Sequence, residues 1–317
     1  MRNVNGLLGA AALAVLVGSP ALAAEATFGF SGWSVGYLPT AIAIDRLNEM
    51  GHDITAVELG GNSNQLQAAA TGDVDITALA QIMDAIDQGL DFRFFQAANS
   101  NEFLMVSRAE YPDCASLDGK LVGIQSVSSF VGQLAIQWFA AECPGAKPNL
   151  TVIEGSENRL AALLANQLDA SPVDLQDWTM LDREKPGAFV VSGDYTKTIP
   201  ILRAAFAASQ GFIAENPDLI RDWIKVHLDV YAEIYENPQV LVDKGKELLG
   251  EIDPDVLPAI VDAFVKASVW PVDGGLSDES VNQTIAFFNN DGEAFANIKS
   301  ADDVVDRTAL DEVLAAR

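Results

Sequence analysis

Short apolar runs alternate along the chain with longer segments in which apolar residues recur at helical spacing. The run 54–59 predicts a strand, 64–71 a helix that ends at Gly72, and 74–79 the next strand. Parallel neighbours in a sheet need a crossover connection, which is usually a helix. The alternation therefore predicts an α/β fold with mixed, mostly parallel sheets flanked by helices.

A second series of strands and helices begins after the turn at Tyr111, Pro112 and Asp113 and ends before the apolar run 201–208. We therefore predict two lobes. Lobe 1 comprises 25–108 and 201–317 with its C-terminal helices, and lobe 2, 109–200, is inserted into it. Because the chain crosses between the lobes twice, we expect a two-strand hinge beside a ligand-binding cleft.

Residues 1–24 have the pattern of a cleaved secretory signal peptide. Arg2 precedes the apolar stretch 7–17, and a helix breaker and small residues follow it. The stretch falls short of the ~20 apolar residues that cross a bilayer, although an amphipathic or membrane-spanning first helix is the alternative. No Cys follows the cleavage site to carry a lipid. We predict a periplasmic protein with no direct membrane insertion.

Charge narrows the range of partners. With 45 acidic and 19 basic residues the net charge is −26, which repels nucleic acid and anionic membrane surfaces. An anionic ligand is still compatible, because helix N-termini and a single Arg can set the local potential. The length, 317 residues, exceeds what one hydrophobic core usually serves, so it agrees with two lobes in a monomer.

The chain has two cysteines, Cys114 and Cys143. Export would place them in an oxidising compartment, where a disulfide is possible. The alternative is a pair of separate buried thiols. Neither cysteine has a histidine nearby in sequence, so a nucleophilic role is not expected.

Five blocks in order resemble a known family of binding proteins. These are 36–41, 65–76, 117–124, 161–170 and 212–217, of which the second is a helix ending in Gly before an Asp-initiated strand. Together they are similar to the substrate-binding proteins of ABC transporters for taurine, sulfonates, nitrate and thiamine precursors. The resemblance implies the type II periplasmic binding fold, a small-molecule ligand held between two lobes, and a membrane permease as partner.

Loops that follow strand ends should line the cleft, and they supply the candidate binding residues. Aromatic rings offer an apolar wall, Ser and Asn near helix N-termini suit an anion, and Asp can hold an amine. The alternatives are ordinary packing for the aromatics and helix capping for the polar residues. The candidates are Trp33, Ser34, Tyr37, Ser63, Asn64, Gln81, Asn99, Ser128, Ser129, Phe130, Asp174, Asp177 and Trp178.

A taurine-like or sulfonate-like zwitterion or anion is the favoured ligand. If the Asp residues dominate, a pyrimidine-type heterocycle is more natural, and an exported ligand sensor would share the fold. Hydrolase, metalloprotease and nucleotide-binding motifs are missing, and there are only two histidines, His52 and His227. The superfamily also contains a pyrimidine-forming enzyme, but its Cys-rich signature is not found here. We therefore expect a protein that is not an enzyme and uses no cofactor or metal.

Overall fold

The computed structural model describes residues 24–289 and 294–317. Within them lie two five-stranded sheets flanked by helices. All but the last residue of the predicted signal peptide lies outside the described residues. The strands are β1 (Glu25–Phe30), β2 (Asp53–Glu58), β3 (Ile76–Ala78), β4 (Phe92–Ser100), β5 (Phe103–Arg108), β6 (Leu121–Ile124), β7 (Asn149–Val152), β8 (Ala170–Asp174), β9 (Phe189–Asp194) and β10 (Leu202–Ser209).

The helices alternate with the strands in the first two thirds of the chain and then follow one another. They are α1 (Leu38–Glu49), α2 (Asn62–Thr71), α3 (Met83–Asp87), α4 (Phe130–Glu142), α5 (Ser156–Leu164), α6 (Leu175–Glu184), α7 (Tyr195–Thr198), α8 (Gln210–Glu215), α9 (Pro217–Glu236), α10 (Gln239–Leu248), α11 (Leu257–Lys266), α12 (Asp278–Asn289) and α13 (Thr308–Ala315). No helix of the described part is both long and apolar enough to cross a membrane.

The two sheets share one topology. Sheet 1 has the strand order β2-β1-β3-β10-β4, and sheet 2 has β7-β6-β8-β5-β9. In each sheet a single strand runs against the other four, β10 in sheet 1 and β5 in sheet 2. This is the mixed, mostly parallel two-lobed α/β architecture that the sequence predicts.

The chain passes between the sheets twice, and the two crossings lie side by side. It leaves sheet 1 after β4 through Asn101 and Glu102 and returns to β10 through Pro200 and Ile201. The amide of Asn101 donates to the carbonyl of Ile201 at 2.9 Å. The buried Asn101 side chain also donates to the carbonyl of Ile199 at 3.0 Å. The predicted two-strand hinge is therefore present and internally hydrogen-bonded.

Strand β5 corrects the predicted lobe boundary. The sequence analysis assigns residues up to Arg108 to lobe 1, but Phe103–Arg108 pairs with β8 and β9 of sheet 2. An apolar extended segment fits either sheet, and the partners that fix its place come much later in the chain. We therefore place the first crossing at Asn101 and Glu102.

The C-terminal part, assigned entirely to lobe 1, also touches lobe 2. The ring of Phe287 on α12 lies 5.5 Å from the ring of Phe130 on α4. In addition, α6 of lobe 2 packs against α11 of lobe 1. Leu175 and Leu181 of α6 are buried in the same apolar cluster as Phe264 of α11. The lobes thus meet through an apolar contact as well as through the hinge.

Sheet 1 is covered by the amphipathic helix α9. Trp223 and His227, one turn apart, are fully buried against Phe206 of β10, with ring centroids 5.2 Å and 4.6 Å from it. In lobe 2, a disulfide joins Cys114, before β6, to Cys143, directly after α4, with Cα atoms 6.0 Å apart. Of the two arrangements left open by the sequence, the structure has the disulfide.

Candidate functional site

A cavity of about 400 Å³ opens between the two lobes. Its walls come from the N-terminus of α2, the segment after β3, the loop after β6, the N-terminus of α4, and β10. A cavity of about 450 Å³ beside α12 is slightly larger, but it lies behind the hinge. The interlobe cavity is lined by Gly61, Asn62, Ser63, Leu66, Gln81, Asp84, Gln125, Ser129, Phe130, Val131 and Arg203.

Two helix N-termini, one from each lobe, reach this cavity. Helix α2 begins after Gly61, which has no side chain to cap it, so the amides of Asn62 and Ser63 find no acceptor among the described residues. Helix α4 begins after Ser129, whose Oγ accepts from the amide of Gly132 at 3.0 Å. Unpaired N–H groups and the helix dipole together favour a negatively charged group here.

Arg203 is the charged side chain that β10 contributes to the cavity. Its guanidinium carbon lies 5.0 Å from the ring centroid of Phe130 and 5.8 Å from that of Phe103. Its Nε is buried and has no hydrogen-bond partner within 24–289 and 294–317. Among the described residues no carboxylate lies within ion-pair distance of Arg203. The guanidinium is therefore placed to receive an anion from the cavity.

The sequence analysis missed Arg203, although one signal pointed to it. Strand β10 reads LRAAFAAS, and Arg203 is its single charge. A charged residue in an otherwise apolar, buried strand is costly unless it serves a partner or a ligand.

Behind Arg203, at the hinge, lies the buried acid Glu102. Its Oε2 accepts from the amide nitrogen of Asn99 at 3.2 Å. Burial raises the pKa of the Glu102 carboxyl to about 8; the charge of Arg203 acts against this rise and that of Asp174 adds to it. Glu102 therefore holds a proton at neutral pH. Sequence analysis also missed this residue.

Asp174 and Asp177 form a second acidic group, at the start of α6. Asp174 caps the helix, accepting from the amide of Asp177 at 2.8 Å. Burial, and then the charge of Asp174, raise the pKa of Asp177 to about 8, while Arg159 acts in the opposite direction. Burial also raises the pKa of Asp174. The capping alternative raised for Asp174 is thus confirmed, and a ligand contact for either acid stays a prediction.

Four of the predicted binding residues line the cavity: Ser63, Gln81, Ser129 and Phe130. Gln81 accepts a hydrogen bond there from Asn62, a cavity residue that the sequence analysis did not propose. Its neighbour Asn64 instead points back, donating to the carbonyl of Leu59 at 2.7 Å.

The predicted aromatic wall lies outside the cavity lining. The ring of Trp33 packs 4.4 Å from that of Phe30. The Tyr37 hydroxyl donates to the carbonyl of Ala78 at 3.0 Å. Trp178 packs, half-buried, against the apolar cluster that joins the lobes.

The remaining polar candidates also lie outside the lining. Ser34 accepts from the amide of Tyr37 through its carbonyl at 2.9 Å. Asn99 is buried beside Glu102, and Ser128 is exposed to solvent. Within the described ranges, no group of three or more His, Cys, Asp or Glu is arranged to hold a metal ion.

The model of the NMT1/THI5-like family matches residues 47–240, which is more than half of the chain and includes strands of both sheets. The chain belongs to this family. No curated protein sequence matches it.

Three of the solved structures similar to this NMT1/THI5-like protein are named as binding proteins. The periplasmic aliphatic sulphonate-binding protein of Escherichia coli superposes with a TM-score of 0.72 at 14% identity, over 89% of this chain and 92% of that one. The alkanesulfonate-binding protein of Xanthomonas axonopodis pv. citri, bound to MOPS, superposes with a TM-score of 0.68 at 15% identity, over 89% of this chain and 98% of that one. The periplasmic nitrate-binding protein of Synechocystis PCC 6803 superposes with a TM-score of 0.66 at 12% identity, over 93% of this chain and 89% of that one. At these identities the likeness concerns the fold, which is the periplasmic binding fold that the sequence predicts.

Proposed function

We propose that this NMT1/THI5-like protein is the solute-binding protein of an ABC importer. It captures a small organic molecule with an anionic group, such as a taurine-like or sulfonate-like compound, and delivers it to a membrane permease. The observation that carries this proposal is Arg203, which has no carboxylate partner in the described part of the chain and lies in a cavity where a helix N-terminus of each lobe converges.

The size and charge of the cavity fit such a ligand. A space of about 400 Å³ is at the small end of ligand pockets. Each helix N-terminus stabilises an anion by about 0.3–1 kcal/mol, and a guanidinium can bind a sulfonate through two parallel hydrogen bonds. The local groups therefore oppose the net charge of −26.

Contacts across the cleft suggest how capture works. The amide of Val35 in lobe 1 donates to Oε1 of Gln176 in lobe 2 at 3.5 Å. Arg203, on β10 of sheet 1, lies against Phe103 and Phe130 of lobe 2. A ligand that touches both α2 and α4 binds the closed form better than the open one and shifts the population toward it. The closed form then docks on the permease as a monomer.

The buried acids favour a second ligand class. Glu102 and Asp174 offer acceptors at the hinge side of Arg203, which suits ring N–H or amino groups of a pyrimidine-type heterocycle. An exported ligand sensor uses the same closure. We propose a periplasmic location, because residues 1–24 have a signal-peptide pattern and the structural relatives are named as periplasmic proteins.

The proposal is tested by thermal unfolding of the mature protein with alkanesulfonates, taurine, nitrate, carboxylates and pyrimidines. A ligand at a hundredfold excess over its Kd stabilises by about 2.7 kcal/mol, which raises Tm by several degrees. Arg203→Gln should weaken binding of a sulfonate about 30-fold, since a hydrogen bond to a charged group contributes about 2 kcal/mol. Arg108→Gln, which removes a half-buried arginine outside the cavity lining, is the matched control. A sulfonate that binds Arg203→Gln as tightly as the wild type would contradict the proposed site.

A further inference from the structure

We propose that Glu102 acts as a proton gate for Arg203, so that the proton on Glu102 decides how much of the guanidinium charge is available to an anionic ligand. The inference rests on the proposed function and deepens it. It assigns to the site a charge preference and a pH dependence that a simple arginine clamp would lack.

The position of Glu102 supports this role. Glu102 is in the first hinge crossing, and its carbonyl accepts from the amide of Leu175 at 3.0 Å. Its side chain is buried under the first loop of lobe 1, where a Cβ on Gly36 would lie 3.2 Å from Oε2. Asn99, whose amide donates to this carboxyl, pairs across the sheet with Ala204, the neighbour of Arg203, and Glu102 and Arg203 are not in ion-pair contact.

The groups that face Glu102 come from four elements. Asn99 on β4 donates to it, Arg203 on β10 attracts its charge, and Asp174 at the end of β8 repels it. Tyr37, before α1, is affected by the Glu102 charge, but burial raises the pKa of its hydroxyl above the ordinary value of 10.0. Tyr37 therefore stays neutral over the range in which Glu102 titrates. Asp177 adds an acid that interacts with Asp174.

The consequence follows from charge compensation. An ionised Glu102 compensates part of the charge of Arg203 across the buried hinge, whereas a protonated Glu102 leaves the guanidinium uncompensated. An anion beside Arg203 therefore favours the protonated form and raises the pKa of Glu102 further. By linkage, an anion binds with proton uptake, and its affinity falls as pH rises through about 8. The affinity for a cationic ligand at the same place would instead rise as pH rises through this range.

The experiment uses ethanesulfonate, which does not titrate between pH 7 and pH 9. Calorimetry of the mature wild-type protein should give a Kd at pH 9 about fivefold higher than at pH 7, because a nearby charge shifts a pKa by about one unit and a shift that starts from about 8 is only partly expressed at pH 9. For Glu102→Gln the same ratio should be about one. Asp75→Asn, which removes a half-buried acid outside the cavity lining, is the matched control and should keep the fivefold ratio.

The outcomes separate the gate from the site. A wild-type ratio of about one, an unchanged ratio in Glu102→Gln, or a ratio lost in Asp75→Asn would each overturn the gate while leaving the anion site in place. Absence of ethanesulfonate binding at pH 7 would overturn the anion site and the gate with it. A second measurement needs no ligand: in carbon NMR of the free protein, the carboxyl signal missing from Glu102→Gln should titrate near pH 8, and titration below pH 5 would contradict the proposal.

If Glu102→Gln fails to fold, Asn99→Leu gives an independent test. It removes the amide that donates to Glu102 and so disfavours the ionised form. The midpoint of the pH dependence of ethanesulfonate binding should then move to higher pH. A midpoint that stays in place or moves to lower pH would count against Glu102 as the titrating group.

Discussion

Acid should destabilise this protein through His227. The imidazole is fully buried between Trp223 and Phe206. Its Nδ1 bonds to the carbonyl of Trp223 at 2.8 Å, and its Nε2 has no hydrogen-bond partner among the residues that the structure describes. Burial lowers the pKa of His227 from 6.5 to about 3, with the hydrogen bond to Trp223 acting in the opposite direction. The folded state therefore keeps His227 neutral at pH values where the unfolded chain binds a proton.

The direction and magnitude of the pH effect on stability follow from the difference in the pKa of His227 between the folded and unfolded states. Between pH 6.5 and 3 the unfolded state holds the extra proton, so His227 makes the folded state less stable as pH falls. Each pH unit costs about 1.4 kcal/mol, which gives a loss of about 2.5 kcal/mol between pH 7 and pH 4.5. Glu102 and Asp177 act oppositely, since their raised pKa values make the folded state bind protons more tightly.

A comparison with His227→Phe isolates the histidine, because the other acids are the same in both proteins. Phenylalanine keeps the aromatic packing against Trp223 but cannot take up a proton. The free energy of unfolding is measured by urea titration at pH 7 and pH 4.5. The wild type should lose about 2.5 kcal/mol more than His227→Phe over this interval. Equal losses in the two proteins would refute the assignment of His227 as a buried neutral group.

Three further predictions concern the covalent link, a close approach and a helix cap. Cys143→Ser should lower the free energy of unfolding by about 3.5 kcal/mol in denaturant titrations, because the unfolded chain regains the entropy that the disulfide between Cys114 and Cys143 removes. An unchanged free energy of unfolding would rule out the disulfide. Gly132→Ala places a Cβ against the carbonyl oxygen of Ser126 and should lower the free energy of unfolding by more than about 2 kcal/mol. At the exposed Gly145 a Cβ meets open space, so Gly145→Ala should leave the free energy of unfolding nearly unchanged. Equal stabilities of the two variants would contradict the packing of α4. Ser129→Ala and Ser209→Ala each remove a helix cap and should each lower the free energy of unfolding by about 1 kcal/mol. Only Ser129 lines the cavity, so only Ser129→Ala should also weaken sulfonate binding.

Much of the fold could be predicted because its determinants are local. Gly72 ends α2 in a left-handed conformation with φ of 76°, as expected for a glycine after a helix. The periodicity of apolar residues likewise located β2, β6 and α9 to within a residue or two. These features depend on neighbours within one or two turns, so the sequence by itself determined them.

Elements without such a signal were missed or misplaced. Helix α6 follows directly on β8, and neither it nor the next element, β9, was predicted. Strand β5 was assigned to the wrong sheet. The assignment of β5 depends on hydrogen bonds to β8, which is formed more than sixty residues later in the chain. Apolar residues on both faces of a strand indicate that the strand is buried, but they do not indicate in which sheet it lies.

The site shows the same division more sharply. Ser63, Gln81, Ser129 and Phe130 could be predicted because they follow strand ends, which converge in any open α/β sheet. The role of Arg203 could not, since its meaning depends on the absence of a carboxylate partner and on rings of lobe 2 beside it. The sequence therefore determined which polar residues stand near the cleft. Only the tertiary structure decided which charges are buried, paired or free, because desolvation and distance are properties of the assembled lobes.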